Sequence, residues 1–345
     1  MEQSKKASTI EELGEFGLIE HLTENFSVKN KNTIKAVGDD AAVIDAGNDL
    51  LLVSTDILVE GIHFDLIYTP LKHLGYKSVV VNLSDIYAMN GKPEQITVAI
   101  SVSGKLNLRA LEDLYEGIKM ACERYEVDLV GGDTTTSITG TTISISALGR
   151  VEKNQVVYRN GAKVNDLICV TGDLGAAYLG LQLLEREKNL FIADQSVKPD
   201  ISNYPYCVER ILKPENKPKT LKKLQEANIL PNAMIDISDG LSSDILHICK
   251  QSQVSCKIYE DKIPINIETA QLAQEFFIDP SVAALNGGED YELLFTIDQK
   301  YFEIISEMPE ISIIGYISDK SEESALVARN GVEVPLKAQG WRHIG

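Results

Sequence analysis

Six short acidic motifs recur along this chain, and each places carboxylates beside glycines or hydroxyl side chains. Most of them follow an apolar run or precede a helical pattern, where the backbone turns and side chains from different elements can meet in one cleft. The motifs are Gly38-Asp39-Asp40, Ser54-Thr55-Asp56, Asn82-Leu83-Ser84-Asp85, Gly131-Gly132-Asp133-Thr134, Asp236-Ile237-Ser238-Asp239-Gly240 and Gly287-Gly288-Glu289-Asp290-Tyr291-Glu292. Oxygen ligands without His or Cys suit hard cations, above all Mg²⁺, and several such ions in one site indicate a polyanionic substrate such as a nucleoside triphosphate.

Strand and helix patterns alternate through both halves of the sequence, which predicts a mixed α and β protein with two domains. The first half contains a long helical pattern over residues 71–89. It also contains a strand whose residues 50–53 are all apolar, which predicts burial on both faces of that strand. The pattern loosens near residues 151–164, so we place the domain boundary there and expect domains at 1–150 and 151–345.

The acidic composition restricts the partners that we expect. A formal net charge of −18 repels nucleic acid and anionic membranes, so neither is an expected partner. ATP would be repelled as well, unless bound cations invert the local field. The sequence has no apolar stretch long enough to span a bilayer, no signal-peptide core at its N-terminus, and five cysteines without a CxxC spacing. These features predict a reduced, cytoplasmic protein.

Taken singly, most of the acidic motifs have an ordinary structural explanation. Asp-Gly is common turn chemistry, and Ser238 or Asp239 could simply cap the helical pattern that follows. Asp85 differs, because it lies within an apolar helical pattern, where a carboxylate is costly unless it is paired or ligated. Gly131 and Gly132 follow a short strand pattern, and we expect a turn whose N–H groups could hold phosphate. A plain glycine turn is the alternative there.

Two other residues are candidates with weaker signals. His63 follows the strand that contains Asp56, but a single histidine can equally be packed or exposed without a function. Trp341 is the only tryptophan, and it could dock the C-terminal tail or stack on a heterocycle. The local sequence suggests no Ser-His-Asp or Cys-His pairing of the kind that nucleophilic enzymes use.

In combination, the motifs resemble the thiamine-monophosphate kinase family, which belongs to the AIR synthetase-like superfamily. The resemblance extends from Gly14-Glu15-Phe16 to Gly340-Trp341. It rests on the order of Val53-Ser54-Thr55-Asp56, Gly61-Ile62-His63-Phe64, Asn82-Leu83-Ser84-Asp85, Gly131-Gly132-Asp133-Thr134-Thr135, Asp236-Ile237-Ser238-Asp239-Gly240-Leu241 and Gly287-Gly288-Glu289-Asp290-Tyr291-Glu292-Leu293. It implies a two-domain AIR synthetase-like fold, in which an N-terminal α/β domain pairs its sheet with its twin in a homodimer and a C-terminal α/β domain follows.

The resemblance also implies an activity and a set of site residues. The activity is ATP-dependent phosphorylation of thiamine monophosphate to thiamine diphosphate by direct in-line transfer, with several Mg²⁺ ions. Asp85, Asp133 and Asp239 are the expected catalytic positions. The expected metal ligands are Asp40, Ser54, Thr55, Asp56, Asp85, Asp133, Asp236 and Asp239. The expected ATP contacts are Gly132, Asp133, Arg159 and Ser238, and the expected thiamine monophosphate contacts are His63, Glu289 and Trp341.

Two alternatives to this activity remain open. One is another ATP-dependent enzyme of the superfamily. A selenophosphate synthetase would be expected to carry a reactive Cys near the N-terminus, whereas the first one here is Cys122. A hydrogenase-maturation dehydratase would be expected to end in Cys, whereas this sequence ends in Gly345. The other alternative is a non-catalytic protein whose carboxylates bind Mg²⁺ or Ca²⁺.

Overall fold

The computed structural model describes residues 10–338, with the backbone alone for residues 10–14. Trp341 therefore lies outside the described residues. Within them, the strands form two sheets, one of six strands and one of seven. Helices alternate with the strands in both halves of the chain. The arrangement confirms the mixed α and β class that the alternating sequence patterns predict.

The first sheet is built entirely from residues that precede 153. Its strands are β1 (Thr33–Lys35), β2 (Ala42–Asp45), β3 (Asp49–Val59), β4 (Lys92–Ser103), β5 (Asp128–Ser137) and β6 (Thr142–Glu152). The strand order is β1-β2-β3-β6-β4-β5. Neighbouring strands are antiparallel except β4 and β5, which are parallel and are connected by a helix. Because β5 is last in the strand order, it forms one edge of this sheet.

Two long helices cover one face of the first sheet. The helices of this half are α1 (Ile10–Thr23), α2 (Leu71–Ala88) and α3 (Leu108–Tyr125). A Cβ atom at Gly75 of α2 would lie 1.9 Å from the carbonyl oxygen of Leu114, and one at Gly117 of α3 would lie 1.9 Å from the carbonyl oxygen of Lys72. Because glycine has no Cβ, the two helices can approach each other this closely. α2 in turn packs on β3, β4 and β6 and carries a functional side chain into the site.

The opposite face of the first sheet has no described helix packed on it. Along β3, Leu50 and Leu52 are buried under α2, whereas Leu51 and Val53 are only partly buried. Ile57, further along the same strand, is 53% exposed. The prediction that residues 50–53 are buried on both faces is therefore wrong for the single chain, because no helix in the described part of the chain packs on one of those faces.

The expected turn at Gly131 and Gly132 is also wrong, because β5 continues through both glycines to Ser137. A Cβ atom at Gly132 would lie 1.9 Å from the carbonyl oxygen of Val98, so glycine is required there for β5 to pair with β4. The pairing register shifts just before Gly131, as it does at a β-bulge. The glycines thus serve strand pairing in the single chain, where the sequence suggests a phosphate-binding turn.

The second half forms a seven-stranded sheet with helices packed around it. Its strands are β7 (Leu167–Thr171), β8 (Ala233–Asp236), β9 (Ser255–Tyr259), β10 (Leu293–Ile297), β11 (Ile311–Ser318), β12 (Ala325–Val327) and β13 (Glu333–Pro335). The strand order is β13-β12-β9-β11-β7-β10-β8. The helices are α4 (Ala176–Ala193), α5 (Pro205–Leu212), α6 (Pro218–Glu226), α7 (Leu241–Ser252), α8 (Ile267–Glu275), α9 (Pro280–Asn286) and α10 (Phe302–Ser306). Short 3₁₀ turns occupy Glu260–Lys262 and Gln299–Tyr301.

The two halves share a buried apolar cluster. Leu83 and Ile86 of α2 belong to the same cluster as Met234 of β8 and Phe295 of β10. The end of α2 and the end of β8 are therefore held together by packing, and the polar side chains at these ends lie close to one another. None of the helices in the described part of the chain combines the length and hydropathy that a membrane span requires.

Candidate active site

Three carboxylates from distant parts of the chain meet where α2 packs against β8. They belong to Asp40, in the turn before β2, to Asp85, in the last turns of α2, and to Asp236, the last residue of β8. One oxygen from each lies within 4.8 Å of the others. Asp40 and Asp236 are buried and Asp85 is partly exposed. Three acids this close repel one another, so the cluster is arranged for a cation.

Hydroxyl groups and an arginine fix the orientation of these carboxylates. Ser54 of β3 donates a short hydrogen bond from Oγ to Oδ2 of Asp85. The Arg159 guanidinium donates to Asp40, with 2.8 Å between Nη2 and Oδ1. The Arg159 side chain is only 12% exposed, and its positive charge lies beside Asp40 at one side of the cluster. Three ligands predicted on separate motifs are thus brought together, and one predicted ATP contact, Arg159, touches Asp40.

Two further predicted acids border the cluster. Asp56 lies within β3, and its main-chain N–H donates to Oδ1 of Asn82 on α2 at 2.8 Å. Asp239 follows β8 by three residues and is partly exposed. The charge of Asp56 raises the pKa of Asp85, and the charge of Asp239 raises the pKa of Asp236. Asp56 and Asp239 therefore belong to the same acidic region as the central three.

Burial raises the pKa values of all five acids, and nearby carboxylates raise them further. Loss of solvent is the largest cause in each case. It raises the pKa of Asp40 to about 7 although Arg159 opposes it, and it raises the pKa of Asp236 to about 6. The pKa of Asp85 is raised well above its ordinary value, with Asp56 and Asp236 as the next causes. Such a region is unfavourable as a set of bare anions, and a divalent cation would relieve it.

The donor atoms fit Mg²⁺. Every side chain that converges here offers oxygen, and Mg²⁺ prefers carboxylate oxygen ligands. Asp40 Oδ2 is buried and has no hydrogen-bond partner among the described residues, so one oxygen is available for a further contact. An unpartnered buried carboxylate oxygen is costly unless something binds it. The residues present therefore fit a hard divalent ion.

A narrow pocket is lined by residues from both halves of the chain. It lies near the acidic region, because the charge of its Glu289 reaches Asp56 and Asp239 and, after burial, helps to raise their pKa values. His63 Nδ1 accepts a hydrogen bond of 3.1 Å from the Val59 main-chain N–H, which orients the imidazole toward the pocket wall. Glu289 lies opposite and forms an ion pair with Lys77 of α2. The remaining walls are mainly apolar and aromatic and comprise Ile62, Phe64, Tyr68, Thr69, Tyr178, Leu181, Ile211, Leu212 and Gly287. Two of the three predicted substrate contacts thus share one pocket.

The loop that carries Glu289 is fixed to the segment that carries Ser238. The Glu289 main-chain N–H donates to the Ser238 carbonyl at 2.7 Å, and the Tyr291 N–H donates to the Ile237 carbonyl at 2.8 Å. Gly288 has φ +70°, and a Cβ there would lie 2.5 Å from the Ser238 carbonyl oxygen. Only glycine meets both conditions without strain. This pairing places the predicted ATP contact Ser238 beside the predicted substrate contact Glu289.

The structure locates the other two predicted ligands on a different surface. The Thr55 hydroxyl donates to the Ile145 carbonyl at 3.0 Å and lies on the uncovered face of the first sheet. Asp133 is exposed on the edge strand β5, and its Oδ1 accepts from the Thr134 N–H at 2.9 Å. It is three strands away from Asp56, or roughly 14 Å at ordinary strand spacing. Within one chain, therefore, Asp133 and Asp56 do not share an ion.

Several polar residues of the site were not predicted from the sequence. Arg210 is buried and donates to Glu292 at 2.8 Å and to the Asp290 carbonyl at 3.0 Å, so it holds the acidic loop in place. Asp244 is 1% exposed and accepts from the Gly240 N–H at 3.2 Å. Lys77 is 3% exposed. All three are charged residues inside apolar helical patterns, the same signal that predicts a functional carboxylate at Asp85.

Comparison with known proteins identifies relatives over almost the entire length of the chain. Residues 38–151 match the family model described as AIR synthase related protein, N-terminal domain. The chain is 39% identical to a thiamine-monophosphate kinase of Buchnera aphidicola subsp. Schizaphis graminum over 339 residues, which cover 96% of this chain and 99% of that protein. It is 32% identical to the thiamine-monophosphate kinase of Bacillus subtilis over 96% of this chain and 99% of that one.

Solved structures resemble this chain over the same extent. One is named AaThiL complexed with AMPPCP and TMP, with a TM-score of 0.81 and 31% identity, and covers 98% of this chain and 99% of that one. A hydrogenase maturation protein, HypE, gives a TM-score of 0.68 at 17% identity over 90% of this chain and 94% of that one. At this identity the second likeness shows a shared fold alone.

Proposed function

Because this chain belongs to the thiamine-monophosphate kinase family, we propose that it transfers the γ-phosphoryl group of ATP to thiamine monophosphate, giving thiamine diphosphate and ADP. The observation that carries this proposal is the convergence of Asp40, Asp85 and Asp236 beside the pocket that contains His63 and Glu289. The relatives covering the full length of the chain bear the name of this activity, and one similar structure is named for its complex with an ATP analogue and TMP.

The residues of the site are suited to a reaction whose difficulty is electrostatic. The acceptor is a phosphate monoester with a second pKa of roughly 6, so its attacking oxygen is already ionised near neutral pH. No general base is required, which agrees with a site built of carboxylates. Bound Mg²⁺ would neutralise the phosphate charges that otherwise repel each other. The contribution of the protein is to hold the two phosphates in line, since positioning dominates phosphoryl transfer.

We assign the residues around the site according to their positions. Asp40, Asp56, Asp85, Asp236 and Asp239 would hold several Mg²⁺ ions, with Ser54 orienting Asp85. Thr55 is assigned to the metal ligands from the family resemblance alone, since its hydroxyl donates to the Ile145 carbonyl. His63 and Glu289 would contact thiamine monophosphate, and Trp341 is assigned to the same substrate from the family resemblance alone. Arg159 and Ser238 would contact ATP; Arg159 would exchange its bond to Asp40 for one to a phosphate.

We further propose that the protein is a homodimer formed through the uncovered face and the β5 edge of the first sheet. β5 is a ten-residue edge strand that exposes Leu129 and Val130, with 46% and 58% exposure. Ile57 on the uncovered face is also exposed. A long edge strand leaves a row of backbone N–H and C=O groups unpaired, and such edges usually pair or are protected. Asp133 and Gly132 lie on this edge, so a second chain would bring them toward an active site that they do not reach within their own chain.

The remaining assignments follow from the same reasoning. We place the protein in the cytoplasm, where ATP and Mg²⁺ are available. We place the boundary between its two domains just beyond the predicted residue 150, in the segment between the end of β6 at Glu152 and the start of β7 at Leu167. We propose direct transfer between the two substrates, without a phosphorylated form of the enzyme.

One incubation tests the proposed function. The protein is mixed with [γ-³²P]ATP, Mg²⁺ and thiamine monophosphate, and the products are separated by chromatography. We expect labelled thiamine diphosphate and no labelled, acid-precipitable protein. Labelled protein during turnover would contradict direct transfer. Absence of thiamine diphosphate would contradict the proposal itself. The remaining alternatives would then be a cation-binding protein or another enzyme of the superfamily.

A further inference from the structure

Lys77 is a buried cation in the wall of the substrate pocket. Lys77 is 3% exposed, and its Nζ forms an ion pair with Glu289, whose side chain is 24% exposed. Among the described residues that line this pocket, Lys77 is the only lysine or arginine and Glu289 the only carboxylate. The pocket therefore presents one charge of each sign on an otherwise apolar and aromatic wall.

The position of Lys77 on α2 relates it to the acidic cluster. Lys77 precedes Ser84 by seven residues, so the two lie on nearly the same face of the helix, about 10.5 Å apart along its axis. Ser84 donates to Asp236 in the acidic cluster. Lys77 thus lies about two helical turns from Ser84, the donor to a proposed metal ligand, and in the wall of the pocket proposed for the acceptor.

The proposed substrate has a matching charge distribution. Thiamine monophosphate carries a permanent positive charge on its thiazolium ring and a phosphate monoester at the end of a short side chain. The ion pair in the pocket has the complementary charges. The Glu289 carboxylate can neutralise the thiazolium ring, and the Lys77 ammonium can neutralise the phosphate. A phosphate dianion that enters beside Asp56, Asp85 and Asp236 also requires a nearby positive charge.

We propose that Lys77 binds the phosphate of the incoming thiamine monophosphate, and that substrate binding separates the Lys77–Glu289 ion pair. Glu289 then faces the thiazolium ring. The two charges neutralise each other while the pocket is empty, which avoids leaving either one buried and unpaired. In the complex, each is neutralised by the substrate. Lys77 is thereby the residue that distinguishes phosphorylated from unphosphorylated thiamine. This inference rests on the proposed function.

The test compares Lys77→Met and Lys77→Arg with a control at Lys72. Lys72 is also on α2, but its side chain is 42% exposed and pairs with Glu116 at 3.0 Å on the surface. For each protein, KM is measured for thiamine monophosphate and for ATP, and unphosphorylated thiamine is measured as a competitive inhibitor. Thermal unfolding confirms that each variant is folded. If Lys77→Met does not fold, the variant Lys77→Met with Glu289→Gln removes both charges and is measured in its place.

We expect Lys77→Met to raise KM for thiamine monophosphate by about tenfold or more, the effect of losing one charge-assisted hydrogen bond. KM for ATP should stay within about twofold of wild type, a change of less than 0.5 kcal/mol. The inhibition constant of thiamine should not rise, because thiamine no longer has to separate Glu289 from Lys77. Lys77→Arg should recover much of the loss, and Lys72→Met should have no effect. Equal losses for both substrates, or no selective loss for thiamine monophosphate, would overturn the inference. If the wild-type protein formed no thiamine diphosphate, the proposed function itself would be contradicted.

Discussion

Ser84 and Asp236 belong to different halves of the chain and are joined by a hydrogen bond of 2.6 Å from Ser84 Oγ to Asp236 Oδ2. Ser84 lies on α2, which covers the first sheet, and Asp236 ends β8 at the edge of the second. Both are buried, with 0% and 4% exposure. The site is therefore assembled from both halves, and the position of Asp236 depends on a donor supplied by the other half.

Replacing Ser84 with Ala should reduce both stability and activity. The change leaves a buried carboxylate oxygen without its donor, which costs about 1–3 kcal/mol. Ser78→Ala is the matched control, because Ser78 is also buried on α2 but donates to the Gly75 carbonyl within its own helix. Urea unfolding and the rate of thiamine diphosphate formation measure the two effects. Equal effects of the two substitutions would show that the link to Asp236 has no special role.

Replacing Asp85 with Asn should abolish most of the kinase activity and leave the fold intact. The amide keeps the shape of the side chain and its contact with Ser54, but it removes the charge that a divalent ion requires. We expect the rate to fall by a factor of about 100 or more, as for other groups that stabilise charge in a transition state. Asp113→Asn, at an exposed position on α3, is the control. Activity that persists at millimolar Mg²⁺ would identify Asp85 as structural.

The stabilising effect of Mg²⁺ should increase with pH. The pKa of Asp40 is raised to about 7 and that of Asp236 to about 6, whereas each is 3.8 in the unfolded chain. The metal-free folded protein thus retains protons that the unfolded chain has already lost. Stability from these groups is complete below about pH 4 and is lost as the pH rises through 6 and 7. Mg²⁺ binds the ionised acids, so it should raise Tm more at about pH 8 than at about pH 5.

Thermal unfolding with and without Mg²⁺ measures this dependence. Asp40→Asn provides the comparison, since it removes the acid whose pKa is raised to about 7. In this variant the loss of stability between about pH 5 and 8 should become smaller, and so should the effect of Mg²⁺. A Mg²⁺-dependent rise in Tm that is the same at both pH values in the wild-type protein would contradict the proposed metal site.

A charge placed on β5 should separate the proposed dimer. Val130 is 58% exposed on this edge strand, and Val130→Asp would put a carboxylate into an apolar contact. Ile267→Asp is the control, because Ile267 is 73% exposed at the start of α8. Light scattering after size-exclusion chromatography should give a dimer for the wild type and the control, and a monomer with much lower activity for Val130→Asp. A wild-type monomer with full activity would exclude any role for a second chain.

The sequence was most informative where an apolar pattern ends in an acidic motif. Asp85 stands in an apolar helix, and this mismatch alone predicts a functional carboxylate. Asp40 and Asp236 are nearly 200 positions apart, so their proximity depends on how α2 packs between the sheets. Local patterns do not contain that information, and the family resemblance supplied it.

The sequence was least informative about surfaces and supporting contacts. The apolar residues 50–53 predicted two covered faces, but one chain covers only one of them. The glycines around Gly132 suggest a turn, but Gly132 is instead required for close strand pairing. The general preference of glycine for turns does not take account of a neighbouring strand. The ion pairs of Arg210 with Glu292 and of Lys77 with Glu289 could not be predicted, because the partners lie far apart in the sequence.

The dependence of turnover on Mg²⁺ tests the central claim most directly, namely that gathered carboxylates hold divalent ions so that two phosphates can react. Thiamine diphosphate formation from ATP and thiamine monophosphate is measured by chromatography during a Mg²⁺ titration and again with excess EDTA. We predict product that increases with Mg²⁺ into the millimolar range and disappears with EDTA. Product formation at an undiminished rate in EDTA would contradict the account.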